Sequence, residues 1–254
     1  MKKNSLSIII LADTNDAALK RALQSSRWAQ EVLVVTTTTG DWSTLPSFVK
    51  QRAYPESKSA QFHFSEVRNW ALQQAAGEWV LFLDSDEVLP ISAEKSITDI
   101  PTPSNLGGVY LRRQDIFLGK PLRFGETGST YLLRLMRKSA AHFSGAVHET
   151  AEVEGDVVFV PITLSHFAHK SVASFIQKVT KYAELVAQER YVAGKKFQIV
   201  ELLCFPIGKF LWNYVILWGF LDGWRGLIYA SVMSLHSASV RIFLYELNQK
   251  NAAA

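Results

Sequence analysis

Apolar and polar positions alternate along the first half of the chain in a way that predicts strands and helices in turn. The apolar runs at residues 6–12, 31–35 and 79–83 are short and rich in branched or aromatic residues, as is typical of buried strands. Residues 16–28 and 66–76 instead place apolar side chains three or four positions apart, and this spacing predicts helices. The β-α-β-α-β order predicts an α/β fold with a parallel, doubly wound sheet.

The pattern changes in the second half of the chain. Short alternating runs with glycines between residues 107 and 164 predict a few antiparallel strands, and residues 171–194 return to helical spacing. We therefore expect one α/β domain over residues 1–170 and a helical C-terminal region over residues 171–254.

The stretch from residue 202 to residue 245 is the most apolar part of the chain. Its longest uncharged runs, 210–221 and 226–240, are shorter than the roughly 20 residues that a helix needs to span a bilayer. We expect a pair of helices lying in a membrane surface, with a buried helical hairpin or an oligomer interface as the alternative. Three tryptophans lie among the aliphatic residues, as at a membrane interface: Trp212, Trp218 and Trp224.

Composition narrows the class of protein. The 254 residues are 48% hydrophobic and 20% charged, which suits a globular protein with an apolar portion. The net charge of +4 suits phosphorylated ligands or an anionic membrane face, and is too small to indicate nucleic acid as a partner. The single cysteine, Cys204, excludes an internal disulfide and a cysteine-rich zinc site, and its apolar context predicts burial. Because Asp13 follows an apolar core of only five residues, 8–12, we interpret the start as a strand and the protein as cytoplasmic.

The most informative segment is 77–89, where a buried apolar run ends abruptly in three carboxylates, Asp84, Asp86 and Glu87. In open α/β sheets, ligands bind just beyond the carboxyl ends of such strands. Two carboxylates two positions apart repel each other unless a cation joins them, and Mg²⁺ or Mn²⁺ held with substrate phosphates fits this arrangement. An acidic turn without a metal is the alternative. His166 and His169 lie three apart with no carboxylate near in sequence, so a metal role there is less favoured.

Several segments in a fixed order resemble glycosyltransferase family 2, whose domain has the GT-A fold, a Rossmann-like and mostly parallel sheet. The resemblance covers roughly residues 5–247, and its last segment is similar to the branch of lipopolysaccharide core β-1,4-glucosyltransferases. The segments are FSEVRN at 64–69, GEWVLFLDSDE at 77–87, LGK at 118–120, YLLRLMRK at 131–138, VHE at 147–149 and GFLDG at 219–223.

The resemblance implies transfer of a sugar from a nucleotide diphosphate sugar to an acceptor, usually with inversion. It assigns Asp84 and Asp86 to a site for Mg²⁺ or Mn²⁺ and the donor, and Arg68 and Asn69 to donor binding. A divalent cation would stabilise the charge on the departing nucleoside diphosphate, and a guanidinium suits a diphosphate.

An inverting transfer also needs a base for the acceptor hydroxyl. Glu149 is the first candidate, followed by Asp86 and Glu87. Three further residues are candidates for contacts with acceptor or phosphate, although a solvated arginine or a structural histidine is the alternative for each: Arg134, Arg137 and His148.

The sequence departs from the family where the nucleoside is expected. The family's T-Y-N-E after the first strand is ADTN at residues 12–15 here, and its D-S-G-S-T-D after the second strand is TTTTGD at residues 36–41. Thr36 thus replaces the first carboxylate, Asp41 is retained, and Asp13 is a candidate replacement. We place Asp41 and Asp13 with the donor-binding residues.

Three functions remain open from the sequence. The leading one is a metal-dependent inverting glycosyltransferase acting on a lipid-linked or lipopolysaccharide-core glycan, peripheral or monotopic on the inner face of the cytoplasmic membrane. The second is a non-catalytic membrane-associated scaffold or partner subunit, which the threonine loop favours. The third, a nucleotidyltransferase, is expected to have a glycine-rich basic loop after the first strand, and LADTND at 11–16 is not one.

Overall fold

The computed structural model describes residues 5–55, 64–128, 130–145, 150–169 and 171–252. The strands are β1 (Leu6–Ala12), β2 (Glu31–Thr36), β3 (Val49–Ala53), β4 (Trp79–Asp84), β5 (Glu87–Val88), β6 (Leu106–Phe117), β7 (Lys120–Pro121), β8 (Thr130–Arg137), β9 (Ala141–Ser144), β10 (Thr150–Val153) and β11 (Asp156–His166). The helices are α1 (Ala17–Ser26), α2 (Phe64–Gln74), α3 (Ala93–Thr98), α4 (Val172–Val192), α5 (Ile199–Leu211) and α6 (Trp224–Ala252). Three short helical segments complete the described secondary structure: 3-10 turns at Lys138–Ala140 and Gly219–Asp222, and a π-helical turn at Trp212–Ile216.

Four parallel strands, in the order β3-β2-β1-β4, form one side of the main sheet. The sheet continues through β8, which is antiparallel to β4, and then through β6, β11 and β5. The predicted α/β fold with a parallel sheet and C-terminal apolar helices is therefore confirmed. Strand β3 was not predicted, because its sequence VKQRA has no apolar run; as an edge strand it buries little.

Both faces of β1, β2 and β4 are buried, which explains their continuous apolar sequence. On one face, Ile8 and Ile10 of β1 belong to the cluster that includes Leu19 and Leu23 of α1. On the other face, Ile9 belongs to the cluster that includes Val67 and Ala71 of α2. The two helices therefore cover opposite faces, and the carboxyl ends of the strands are left open. Leu11 lies opposite Asp84, and Ala12 lies opposite Thr36, so β1, β2 and β4 end at one edge.

Gly107 marks a close backbone approach in β6. A Cβ atom at this position would lie 2.0 Å from the carbonyl oxygen of Glu154. We therefore expect Gly107→Ala to lower the free energy of unfolding of the protein by about 1–3 kcal/mol, because the backbone must shift to admit a methyl group. Urea unfolding followed by circular dichroism measures the change. Gly40→Ala is the matched control, since its Cβ would meet only ordinary contacts with Trp42, at 3.4 Å or more. Equal stability of the two variants would contradict the expectation.

The chain divides into two units. The first comprises Met1–Arg113 and Tyr131–His166, and the second comprises Gln114–Thr130 and Phe167–Ala254. The boundary at residue 170 stays a prediction about domains. The segment Gln114–Thr130 lies with the C-terminal helices, and no feature of its own sequence indicated this.

The second unit has its own core, in which rings from three segments pack together. Phe175 of α4 lies 5.7 Å from Phe117 and 5.5 Å from Tyr229 of α6, measured between ring centroids. Helix α4 begins with a capping box formed by Ser171 and Ser174. The Asp222 carboxylate, in the GFLDG segment, accepts hydrogen bonds from the backbone N–H groups of residues 123 and 124. The segment that resembles the family thus has a structural role within this unit.

The two C-terminal helical stretches are longer than the uncharged runs suggested. Ile199–Ile216 and Trp224–Lys250 are long and apolar enough to cross a membrane by length and composition alone, a criterion that the core helix of a soluble protein also meets. Only 6% of the first stretch is buried in the structure. Cys204 is exposed on α5, so the prediction that it is buried was wrong. Its apolar neighbours are themselves exposed, which sequence composition does not reveal.

Candidate active site

The acidic segment lies where the parallel strands open. Asp84 ends β4, and the chain turns through Ser85 and Asp86 into β5. Strand β5 pairs with the end of β11, which brings His166 opposite Glu87. The carboxylates are therefore at the carboxyl edge of the sheet, as the sequence predicted from the abrupt end of the apolar run.

Asp84 is paired with two arginines. Its Oδ1 lies 3.1 Å from Nη2 of Arg68, and its Oδ2 lies 2.5 Å from Nη2 of Arg134. The same Arg134 nitrogen lies 2.6 Å from Oε1 of Glu87, whose side chain is fully buried. The second Glu87 oxygen accepts a hydrogen bond from the backbone N–H of Asp84, at 3.1 Å. We call Arg68, Asp84, Glu87 and Arg134 the buried ion cluster.

Burial and charge act in opposite directions within the buried ion cluster. Burial alone would raise the pKa of Asp84, but the Arg134 and Arg68 guanidiniums outweigh it and hold that pKa well below its usual range. Burial also raises the pKa of Glu87, and the nearby Asp84 charge adds to this against the pull of Arg134. Arg134 would lose basicity on burial, yet its two carboxylate partners raise its pKa. Arg134 is thus the cation that offsets the repulsion between the neighbouring carboxylates of Asp84 and Glu87.

Asp86 has a different partner from Asp84. Its Oδ2 lies 3.5 Å from Nε2 of His166, and its side chain, like that of Asp84, is about one-third exposed. A carboxylate beside an imidazole is a donor set that Mn²⁺ accepts. Within the described parts of the chain, no group of three or more His, Cys, Asp or Glu side chains could hold a metal ion. A cation here would therefore draw its remaining ligands from substrate oxygens and water, as Mg²⁺ and Mn²⁺ commonly do.

The sequence does not connect His166 with Asp86, because the two residues are 80 positions apart. The signal available was positional: His166 is the last residue of a strand, as Asp84 is. Only the pairing of β5 with β11 brings the two ends together.

A cavity of about 360 Å³ adjoins the buried ion cluster, and Asp84, Arg68 and Arg134 form part of its wall. Tyr110 and Tyr131 also line it. The ring of Tyr110 stacks on Phe159 at 4.6 Å, and the ring of Tyr131 meets Phe159 edge-on at 5.4 Å. The cavity thus combines cationic side chains with aromatic surface.

The side chains of Asn69 and Arg137 make contacts outside the buried ion cluster. The Asn69 side chain bonds the backbone of Phe143 in both directions, donating to its carbonyl at 2.8 Å and accepting from its N–H at 2.9 Å. Arg137 pairs with Glu78 at 2.5 Å and lies opposite Trp79, at the start of β4. That is five residues, or about 16 Å, from the acidic end of the strand. The structure therefore brings Arg134 to the cavity and leaves Arg137 distant from it.

Asp13 and Asp41 lie in the loops that follow β1 and β2. The Asp13 carbonyl accepts a hydrogen bond from the Thr38 hydroxyl at 2.6 Å, and the Asp41 carbonyl accepts one from Asn15 at 3.3 Å, so the two loops are joined. The Asp41 carboxylate accepts two hydrogen bonds from Ser43, which lower its pKa. The roles of Asp13 and Asp41 in donor binding stay predictions. His148 and Glu149 lie outside the described residues, and their roles stay predictions as well.

No family model matches the sequence. The chain is 25% identical over 247 residues to "Lipopolysaccharide core biosynthesis glycosyltransferase LpsC" of Rhizobium meliloti (strain 1021), covering 90% of each chain. Several solved structures are similar over 98% of this chain, among them two complexes with nucleotide sugars. "Mannosyltransferase PcManGT from Pyrobaculum calidifontis in complex with GDP-Man and Mn2+" is 13% identical, with a TM-score of 0.44 and 75% of its own chain covered. S. aureus TarS 1-349 in complex with UDP-GlcNAc is 14% identical, with a TM-score of 0.46 and 92% covered.

Proposed function

We propose that this protein is a metal-dependent, inverting glycosyltransferase that moves a sugar from a nucleotide diphosphate sugar to a lipid-linked or lipopolysaccharide-core glycan. The observation that carries the proposal is the buried ion cluster at the carboxyl edge of the sheet, with Asp86 and His166 beside it. The similarity to LpsC over nine tenths of the chain supports sugar transfer and an acceptor in lipopolysaccharide core synthesis. Membership of the β-1,4-glucosyltransferase branch rests on the GFLDG resemblance.

The ion cluster positions the reacting groups in this proposal. Arg134 and Arg68 pair with both oxygens of Asp84 and keep it ionised, and these ion pairs anchor the start of the turn that carries Asp86. Asp86 and His166 would hold Mg²⁺ or Mn²⁺, which supplies positive charge to the departing nucleoside diphosphate. Preorganised charge of this kind lowers the barrier because it needs no rearrangement during the reaction.

The same contacts reduce the number of candidates for the catalytic base. Glu87 is fully buried and bound to Arg134, so it is not available to accept a proton from an acceptor hydroxyl. Asp86 is engaged on the donor side in this proposal. Glu149 is therefore the base we assign, with His148 beside it as an acceptor-contacting residue. The cavity lined by Tyr110, Tyr131 and Arg134 is where we place the acceptor sugar, since aromatic faces pack against sugar rings.

The exposed apolar helices support a membrane location for the acceptor. Side chains on α5 and the turn after it leave large apolar surface in contact with solvent, among them Ile207 at 62% exposure and Trp218 at 59%. We propose that this surface lies in the inner face of the cytoplasmic membrane, where tryptophans and aliphatic residues favour the interface.

Calorimetric titration with a panel of nucleoside diphosphates, with and without Mn²⁺, tests the proposal. We expect one nucleotide to bind only when Mn²⁺ is present, and Asp86→Asn to weaken that binding at least about tenfold because a metal ligand loses its charge. Glu94→Gln, at an exposed carboxylate on α3, is the matched control and should bind as the wild type does. If folded protein loaded with Mn²⁺ binds no nucleotide, a non-catalytic scaffold becomes the better interpretation, with the Thr36 loop as its cause.

A further inference from the structure

A cleft of about 720 Å³ lies between α4, α5 and α6 of the second unit. Part of its wall is apolar, with Val186, Phe205, Trp212 and Val240. A neighbouring cavity of about 410 Å³ shares Phe205 with it. The basic residues that line these two cavities are Arg190, Lys195, Lys196, Lys209 and Arg241.

Arg241 is the least exposed of these basic residues, at 5%. Its Nη1 donates hydrogen bonds to the carbonyl and hydroxyl oxygens of Ser237 at 3.0 and 3.1 Å, and its guanidinium carbon lies 4.2 Å from the centroid of the Phe205 ring. The Nε–H is buried and makes no hydrogen bond within the described residues, because its ion-pair partner, Oε2 of Glu201, lies 3.7 Å away. A buried charged donor without a hydrogen bond is costly, so this side chain is suited to an anionic acceptor in the cleft.

The cleft has more positive than negative charge. Among the described residues, the acidic residue that lines these cavities is Glu201. Its Oε2 forms ion pairs with two arginines, at 3.7 Å from Nε of Arg241 and 3.9 Å from Nη1 of Arg190. Lys209 is paired with Glu126. Burial lowers the pKa of His236, and the charges of Lys209 and Arg241 lower it further, as expected in a positively charged environment. An anion entering the cleft would therefore offset a charge excess that the described lining residues leave uncompensated.

We propose that this cleft binds the phosphate headgroup of one anionic phospholipid of the membrane, through Arg190 and Arg241, with acyl chains against the apolar wall. Basic sites between apolar helices are suited to such headgroups because phosphate accepts several charge-assisted hydrogen bonds at once. Two exposed apolar side chains of α5, Leu203 at 60% and Ile207 at 62%, directly precede the cleft-lining residues Cys204 and Gly208 in sequence and would provide a surface for the chains. This inference rests on the membrane association that is part of the proposed function.

Native mass spectrometry of the full chain in detergent micelles tests the site without the surface potential of a bilayer. We expect one phosphatidylglycerol to be retained at least about tenfold more than phosphatidylcholine, and Arg241→Gln to reduce this retention at least about threefold. Arg190→Gln, whose side chain is 38% exposed, should do the same without risk to the core. Lys181→Gln removes an equal charge from an exposed position on α4 and should change nothing.

Three results would overturn the proposal: equal retention of the two phospholipids, displacement of phosphatidylglycerol by millimolar inorganic phosphate, or its displacement by a phosphorylated glycolipid acceptor. Displacement by the glycolipid acceptor would show that the cleft belongs to the acceptor site.

Sedimentation with phosphatidylcholine vesicles tests membrane association separately. There we expect Ile207→Glu to release the protein and Ile91→Glu, at a fully exposed isoleucine of the first unit, to have no effect. If the wild type does not sediment with any vesicle, the membrane location in the proposed function is wrong, regardless of the phospholipid retention that native mass spectrometry measures.

Discussion

Asp86→Asn is expected to lower the rate of sugar transfer by at least about a hundredfold, the order of magnitude that loss of one preorganised charge-stabilising group costs an enzyme. The substitution keeps the shape of the side chain and removes the charge that faces His166 at 3.5 Å. Because Asp86 is one-third exposed and outside the buried ion cluster, the free energy of unfolding should change by less than about 1 kcal/mol. Release of nucleoside diphosphate in the presence of a glycolipid extract measures the rate.

Two comparisons make this result specific. His166→Asn should raise the Mn²⁺ concentration needed for half-maximal activity, since the other side-chain ligand is weakened while the charge of Asp86 remains. Glu94→Gln should leave both quantities unchanged, because this carboxylate is exposed on α3. Full activity of folded Asp86→Asn protein at every Mn²⁺ concentration would exclude Asp86 from the metal site. It would also return Asp84 to consideration despite its two arginine partners.

Arg134→Met is expected to cost about 3–5 kcal/mol of the free energy of unfolding, which is the usual penalty for removing one partner of a buried ion pair. Glu87 is fully buried and would lose its cation, while Asp84 would keep only Arg68. Urea unfolding at pH 7 measures the change. Arg137→Met is the matched control on the same strand and should cost less, because its partner Glu78 is half exposed.

The pH dependence of this loss separates buried charge from lost packing. Burial already raises the pKa of Glu87 in the wild type against the pull of Arg134, so this pKa should rise further in the variant, and the folded state then binds more protons than the unfolded state. Its stability should therefore increase relative to that of the wild type as the pH falls from 7 to 5. The double variant Arg134→Met/Glu87→Gln should be more stable than the sum of the single losses predicts. A stability difference that stays constant between pH 7 and 5 would show that packing, and not charge, is what Arg134 contributes.

Local pattern was sufficient to predict the parallel half of the first unit, apart from β3. The strands β1 and β4 follow from apolar runs that end at polar residues, and α1 and α2 follow from helical spacing. Placing Asp84 and Asp86 at the mouth of the sheet needed only the rule that parallel strands open at their carboxyl ends. These are properties of neighbouring residues, which a sequence displays directly.

The partners of each charged residue required the tertiary structure. Arg134 and Arg137 are three apart and look equivalent in the sequence, yet one is buried between two carboxylates and the other lies at the opposite end of β4. The association of His166 with Asp86 and the distinct environments of Asp84 and Asp86 depend on strand pairings between distant segments. Cys204 and the buried Arg241 show the same limit for helices, since composition does not determine which side of an apolar helix is covered. The sequence thus determined the elements and the edge of the sheet at which chemistry is possible, whereas long-range packing decided which charges meet there.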